Sequence, residues 1–284
     1  NSVGSDARYE KGPVSPLELA VYVDEDTAKN PLYKRLTYYA NELTSAKVVD
    51  DEIEWRNIDK VKPARMPSKN GQGLLSPNRI FDGRPLHGNV ELRTKQLEYL
   101  AEEAQQPRGA RNLNSLKKKV REYHETTRDG KQNFRGEELT HFTPESGQIT
   151  YDGNHRWGVK MGPVRTIQFA LARDKYRMLR DGFNPKILGE IDRHVVKQLD
   201  DLRSVTNQNI TDSTVSSLQD QYKYFLHSYH QSQWKHRIQG EEVLSRDSQE
   251  FKHRLNEVYD IIDITRGEDQ PSYFFSKPES RFYS

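Results

Sequence analysis

Between Gly147 and Gly162 the chain reads strand, tight turn, helix, stop, and no other stretch constrains its folding as much. Gln148-Ile149-Thr150-Tyr151 is short, β-branched and aromatic, which is a strand signal. Asp152-Gly153 turns the chain sharply, because glycine adopts backbone angles that side chains resist. Asn154, His155 and Arg156 then fall in the first turn of a helix expected to start between 153 and 158, and Gly162-Pro163 ends it. The next segment, Val164-Arg165-Thr166-Ile167-Gln168-Phe169-Ala170-Leu171, reads as a second strand. Residues 148–151 and 164–171 are therefore expected in one sheet.

Such a turn offers a ligand specific chemistry. The first backbone N–H groups of a helix have no partner within it, and the helix dipole adds partial positive charge there, so the terminus suits an anion. Arg156 adds a forked donor matched to phosphate oxygens. His155 adds a donor or a proton relay near neutral pH. Asp152 either orients His155 or holds a metal; the residues alone leave both roles open.

The rest of the chain divides by pattern. Ser15-Pro16-Leu17-Glu18 resembles a capped helix start, and Leu32, Leu36, Tyr39 and Leu43 recur at helical spacing, so 15–46 is expected to be helical. A strand is expected over 53–58. Residues 67–89, dense in Gly, Pro, Asn and Ser, read as a long loop. Helices are expected over 90–106 and 113–127, a short strand over 139–143, and mostly helix from 174 to about 262. The aromatic tail, Tyr273 to Tyr283, has no periodicity and suits packing onto the body or a partner.

Composition sets limits. Hydrophobic residues make up 33% and charged residues 30%, and the net charge is only +2, so nucleic-acid affinity must come from local clustering. The absence of cysteine removes disulfides, thiolate metal sites and cysteine nucleophiles. No run of 18 apolar residues is found, and the polar start Asn1-Ser2-Val3-Gly4 lacks the apolar stretch of a signal peptide. A cytoplasmic protein without a membrane span is expected.

The stretch from Gly147 to Gly162, with its Asp152-Gly153-Asn154-His155-Arg156 turn, resembles the signature turn of the ParB/sulfiredoxin superfamily. Ile53 to Pro63 resembles that fold's first strand and following loop, and Leu116 to Tyr123 its following helix, so the resemblance covers roughly residues 48–173. It implies an α+β fold: a small ParB/sulfiredoxin-like mixed sheet with helices, plus a helical C-terminal domain. The expected domains are an N-terminal helical extension over 1–47, the phosphate-binding domain over 48–175 with an insertion at 64–112, and a helical domain over 176–284.

By the same resemblance, Gly153, Asn154, His155 and Arg156 hold nucleotide phosphates, and Arg65 supplies a second phosphate contact. His155, Asp152 and Glu54 are the candidate catalytic groups, with Glu52 an alternative to Glu54. Two departures matter. The segment between Pro63 and Leu113 is longer than such a domain needs. Position 154 is Asn where sulfiredoxins carry Cys, which excludes their sulfinic-acid repair chemistry. The implied function is a nucleotide-dependent protein acting on DNA, through NTP hydrolysis or DNA cleavage, with a nucleoside triphosphate and Mg²⁺ as cofactor and the metal ligands unknown. The alternatives are a small-molecule kinase on the same fold and a non-catalytic structural or interaction protein. Assembly into a homo-oligomer stays open.

Two further stretches bear on DNA. Between Arg108 and Arg135 lie nine basic and three acidic residues, a local excess of +6 in a nearly neutral chain. Lys117, Lys118, Lys119 and Arg121 are its densest part and the candidate DNA contacts. Residues 205–218 resemble a helix-turn-helix, with a turn at Asn209 and with Ile210, Val215 and Leu218 facing inward; an ordinary capped helix has the same pattern. His227 and His230 sit one turn apart among aromatics, where packing is the simpler role.

Overall fold

The computed structural model describes residues 8, 10, 17–23, 31, 35, 38–39, 42, 49–57, 77–84, 91–129, 142–143, 148–150, 163–191, 194–205, 211–239, 243–245 and 248–264. The chain divides into two units, each discontinuous in sequence. Unit 1 takes residues 1–109 and 179–194, and unit 2 takes 110–178 and 195–284.

In unit 1, strand β1 (Leu17–Val23) pairs in parallel with β2 (Val49–Asn57) in register Leu19↔Ile53 through Val23↔Asn57. Helix α1 (Pro77–Asp82) and helix α2 (Glu91–Gln105) follow. On α2 the buried residues Leu97, Leu100, Ala101 and Ala104 recur at i, i+3, i+4 and i+7, the stripe of a helix with one packed face. α1 and the later helix α5 (Pro185–Glu190) pack against it. The approach of α5 is close: a Cβ placed on Gly189 would stand 3.0 Å from Leu97 Cδ1. Asn184 caps α5 by accepting from Lys186 N at 2.9 Å, and Pro185 fills the first helical position, where a missing N–H costs nothing. Gly182, at φ 89°, supplies the left-handed turn just before that cap.

In unit 2 the described core lies on α3 (Pro107–Asp129, from residue 110 onward), α4 (Arg165–Arg180, to residue 178), α6 (Val195–Val205), α7 (Asp212–Gln239) and α8 (Ser248–Ile264). Every residue of α4 from Thr166 to Tyr176 is buried, so this helix is enclosed on all sides. Three short strands, β3 (Phe142–Thr143), β4 (Gln148–Thr150) and β5 (Val243–Ser245), pair antiparallel in the order β3-β4-β5.

These facts overturn the expected α+β fold with a mixed sheet. Residues 164–171, expected as a strand, enter and form most of the first half of α4. The strands that do occur make one purely parallel pair and one purely antiparallel trio, in different units. Among the described residues, the buried apolar side chains all sit on helices and their flanking turns. The packed body is helical. The helix expected over 15–46 is also corrected in part: 17–23 is strand, while 31, 35, 38, 39 and 42 are helical. The expected boundary near 175 falls inside α4.

Candidate nucleic-acid interface

The basic cluster becomes a face on α3. Pro107 opens the helix, and Arg and Lys sustain it because straight side chains lose little freedom in a helix. Leu113, Leu116 and Val120 turn inward with Asn112, whose Nδ2 donates to Tyr176 OH at 3.2 Å. That fixes the rotation of the helix and leaves Arg111, Asn114, Lys117 and Lys118 exposed. Spacings of three, four and seven residues place these four along one side of a helix. Three cations and an amide on one exposed face can contact successive phosphates of a nucleic-acid backbone without reading sequence.

Within the expected set the structure discriminates. Lys117 and Lys118 are on the exposed face. Lys119 is half-buried, with Nζ 5.2 Å from the centre of the Phe169 ring, so part of its charge is engaged in a cation–π contact within unit 2. Arg121 lies on α3. Arg111 joins the face although it stands apart from the lysine run in sequence; its spacing of seven from Lys118 was the available signal.

The other expected site residues are placed differently. Asp152, Gly153, Asn154, His155, Arg156 and Arg65 lie outside the described residues. Glu54 lies on β2 opposite Ala20 of β1. Among the described residues no group of three or more His, Asp or Glu is arranged to hold a metal ion, and no helix is long and apolar enough to cross a membrane.

The helix-turn-helix pattern is tested at its second helix. Asn209 and Ile210 lie outside the described residues. Thr211 caps α7: its carbonyl accepts from Thr214 N at 3.0 Å and Val215 N at 3.2 Å, and its Oγ1 accepts from Thr214 N at 3.3 Å. Val215 and Leu218 face inward as expected. The exposed side of α7 carries Asp212, Ser213, Ser216, Asp220, Lys223 and His227. With two carboxylates and one ammonium, and Lys223 already 3.5 Å from Asp220, that side repels phosphate more than it attracts it. A capped structural helix accounts for it better than a DNA-reading one. His227 hydrogen-bonds Gln231 at 2.7 Å, and His230 lies against the Tyr229 ring at 5.6 Å, in keeping with packing.

Compared with family models, curated proteins and solved structures, the chain finds no match.

Proposed function

We propose that the protein acts on DNA and that α3 supplies its sequence-independent phosphate contacts. The observation that carries this reading is the exposed face of Arg111, Asn114, Lys117 and Lys118, held outward by the burial of Leu113, Leu116 and Val120. Charge packed onto one helix face in a chain of net charge +2 is an electrostatic footprint of the kind nucleic-acid backbones select. The nucleotide part of the reading, a nucleoside triphosphate with Mg²⁺ at the turn from Asp152 to Arg156, rests on the sequence of that turn and its resemblance. A cytoplasmic setting, where DNA and nucleotide are both at hand, completes the proposal.

The test is duplex binding as a function of salt. Neutralising a phosphate releases counterions, so each contact adds about 0.9 to the slope of log K against log salt. Arg111→Ala/Lys117→Ala/Lys118→Ala is expected to flatten that slope by about 2 to 3, with no preference among sequences. Binding that is absent at low salt, or a slope unchanged in the triple variant, removes DNA as the partner. A parallel titration with ATP, CTP and GTP in Mg²⁺ addresses the turn. Arg156→Ala is expected to weaken nucleotide binding roughly 10- to 150-fold, the loss of one charge-assisted contact.

A further inference from the structure

A guanidinium site is built into unit 1. Arg8 is 2% exposed, Glu10 3% and Asp82 7%. Arg8 Nε donates to Glu10 Oε2 at 2.8 Å, and Arg8 Nη1 donates to Asp82 Oδ2 at 2.9 Å, across 74 residues of chain. The two carboxylates thus take different nitrogens of the same planar fork. A lysine ammonium on a flexible stem is a single point charge and does not reproduce that geometry.

The surroundings reinforce the preference for a cation. Asp82 is the last residue of α1, where backbone carbonyls lack partners within the helix. The carbonyl of Phe81, next to Asp82, is taken by a second buried guanidinium, Arg93 Nη2 at 3.0 Å. A carboxylate and a carbonyl at one helix end, together with the Glu10 carboxylate, make a locally anionic enclosure that is satisfied by planar donors.

We propose that Asp82 and Glu10 form a guanidinium-binding site whose resident ligand is Arg8, supplied in cis, and that the site accepts a free guanidinium-bearing ligand when the Arg8 side chain is withdrawn. The ligand class is the arginine side chain and its small analogues. The segment that carries Arg8 and Glu10 is thereby held to unit 1 by a ligand-like contact, and no new covalent chemistry is involved.

The experiment is chemical rescue in the full-length chain. Arg8→Ala leaves two buried carboxylates uncompensated and is expected to lower Tm by about 6–20 °C. Methylguanidinium at millimolar concentration, far below the molar range in which guanidinium denatures, is expected to restore most of that loss along a saturable curve. Methylammonium at equal concentration is expected to restore little. In Arg8→Ala/Asp82→Asn the methylguanidinium effect is expected to vanish, because one of the two acceptors has lost its charge. Should Arg8→Ala fail to fold alone, refolding yield with and without methylguanidinium replaces Tm as the readout. The proposal is overturned by an unchanged Tm in Arg8→Ala, by the absence of rescue in both Tm and yield, by equal rescue with methylammonium, or by rescue that persists in the double variant.

Discussion

Unit 1 and unit 2 bury polar side chains in different ways. In unit 1 the printed buried interactions are ionic and join residues far apart in sequence: Arg8 to Asp82, with Arg8 to Glu10 beside it. In unit 2 they are mainly neutral pairs that tie enclosed helices together. Gln168 Nε2 donates to Tyr222 OH at 2.7 Å, Asn112 Nδ2 to Tyr176 OH, and the single charged donor among them, Lys175, finds the neutral amide of Gln198 at 2.9 Å. The one buried ion pair there, Arg173 with Asp174, joins sequence neighbours. Ions removed from water cost several kcal/mol each unless paired, so losing one partner is severe. Neutral amides and phenols cost less to orphan. Unit 1 is therefore tied by a few expensive contacts, and unit 2 by many cheap ones around a helix that is packed on every side.

The largest effect is expected in unit 1. Asp82→Ala leaves Arg8 short of one of its two anions and should destabilise by about 3 kcal/mol, toward the lower end of the range for broken buried pairs because Glu10 remains. Denaturant unfolding measures the loss. Hydrogen exchange should place it in α1 and α2; protection lost first in α4 and α7 would break the comparison.

Next comes unit 2. Tyr222→Phe removes the acceptor used by Gln168 Nε2 while keeping the ring, and should cost about 1–3 kcal/mol, with faster exchange in α4 and α7. A cost above that of Asp82→Ala would reverse the ranking of ionic over neutral contacts. Smaller still, Thr211→Ala removes the side-chain cap of α7 and should cost about 1 kcal/mol, with Thr211→Ser recovering most of it. A larger loss in Thr211→Ala would show that the hydroxyls of Ser213 and Thr214, at 2.8 and 2.9 Å from Thr211 Oγ1, are held by it as a group.

Legibility followed exposure. Helices with one wet face were readable: 90–106 and 113–127 correspond to α2 and α3, because Leu97, Leu100, Leu113 and Leu116 alternate with charged residues at helical spacing. The stretch 164–171 was not readable. A segment buried all round shows no periodicity, and β-branched Val164, Thr166 and Ile167 then weigh toward strand. The run Ala170-Leu171-Ala172 and the length of the uninterrupted segment were the counter-signals. At β1 the error ran the other way. Leu17, Leu19, Val21 and Val23 alternate with period two, but Ser15-Pro16 resembles a helix start, and proline is equally at home at the first residue of a strand.

For the candidate interface, the residue types were legible and the geometry was not. Sequence alone determined that cations concentrate between 108 and 135, that cysteine chemistry is absent, and that the C-terminal half is mostly helical, because these follow from composition and from short-range periodicity. Tertiary structure decided which of the cations face outward. The burial of Leu113, Leu116 and Val120 sets the rotation of α3, turning Lys117 and Lys118 to solvent and Lys119 toward Phe169. It alone decided that Arg8 meets Asp82, since no local rule relates residues 74 apart and only the packing of α1 brings a carboxylate to that guanidinium. Short-range steric preference can be read from neighbours in the chain, whereas the pairing of buried charges depends on where folding has excluded water.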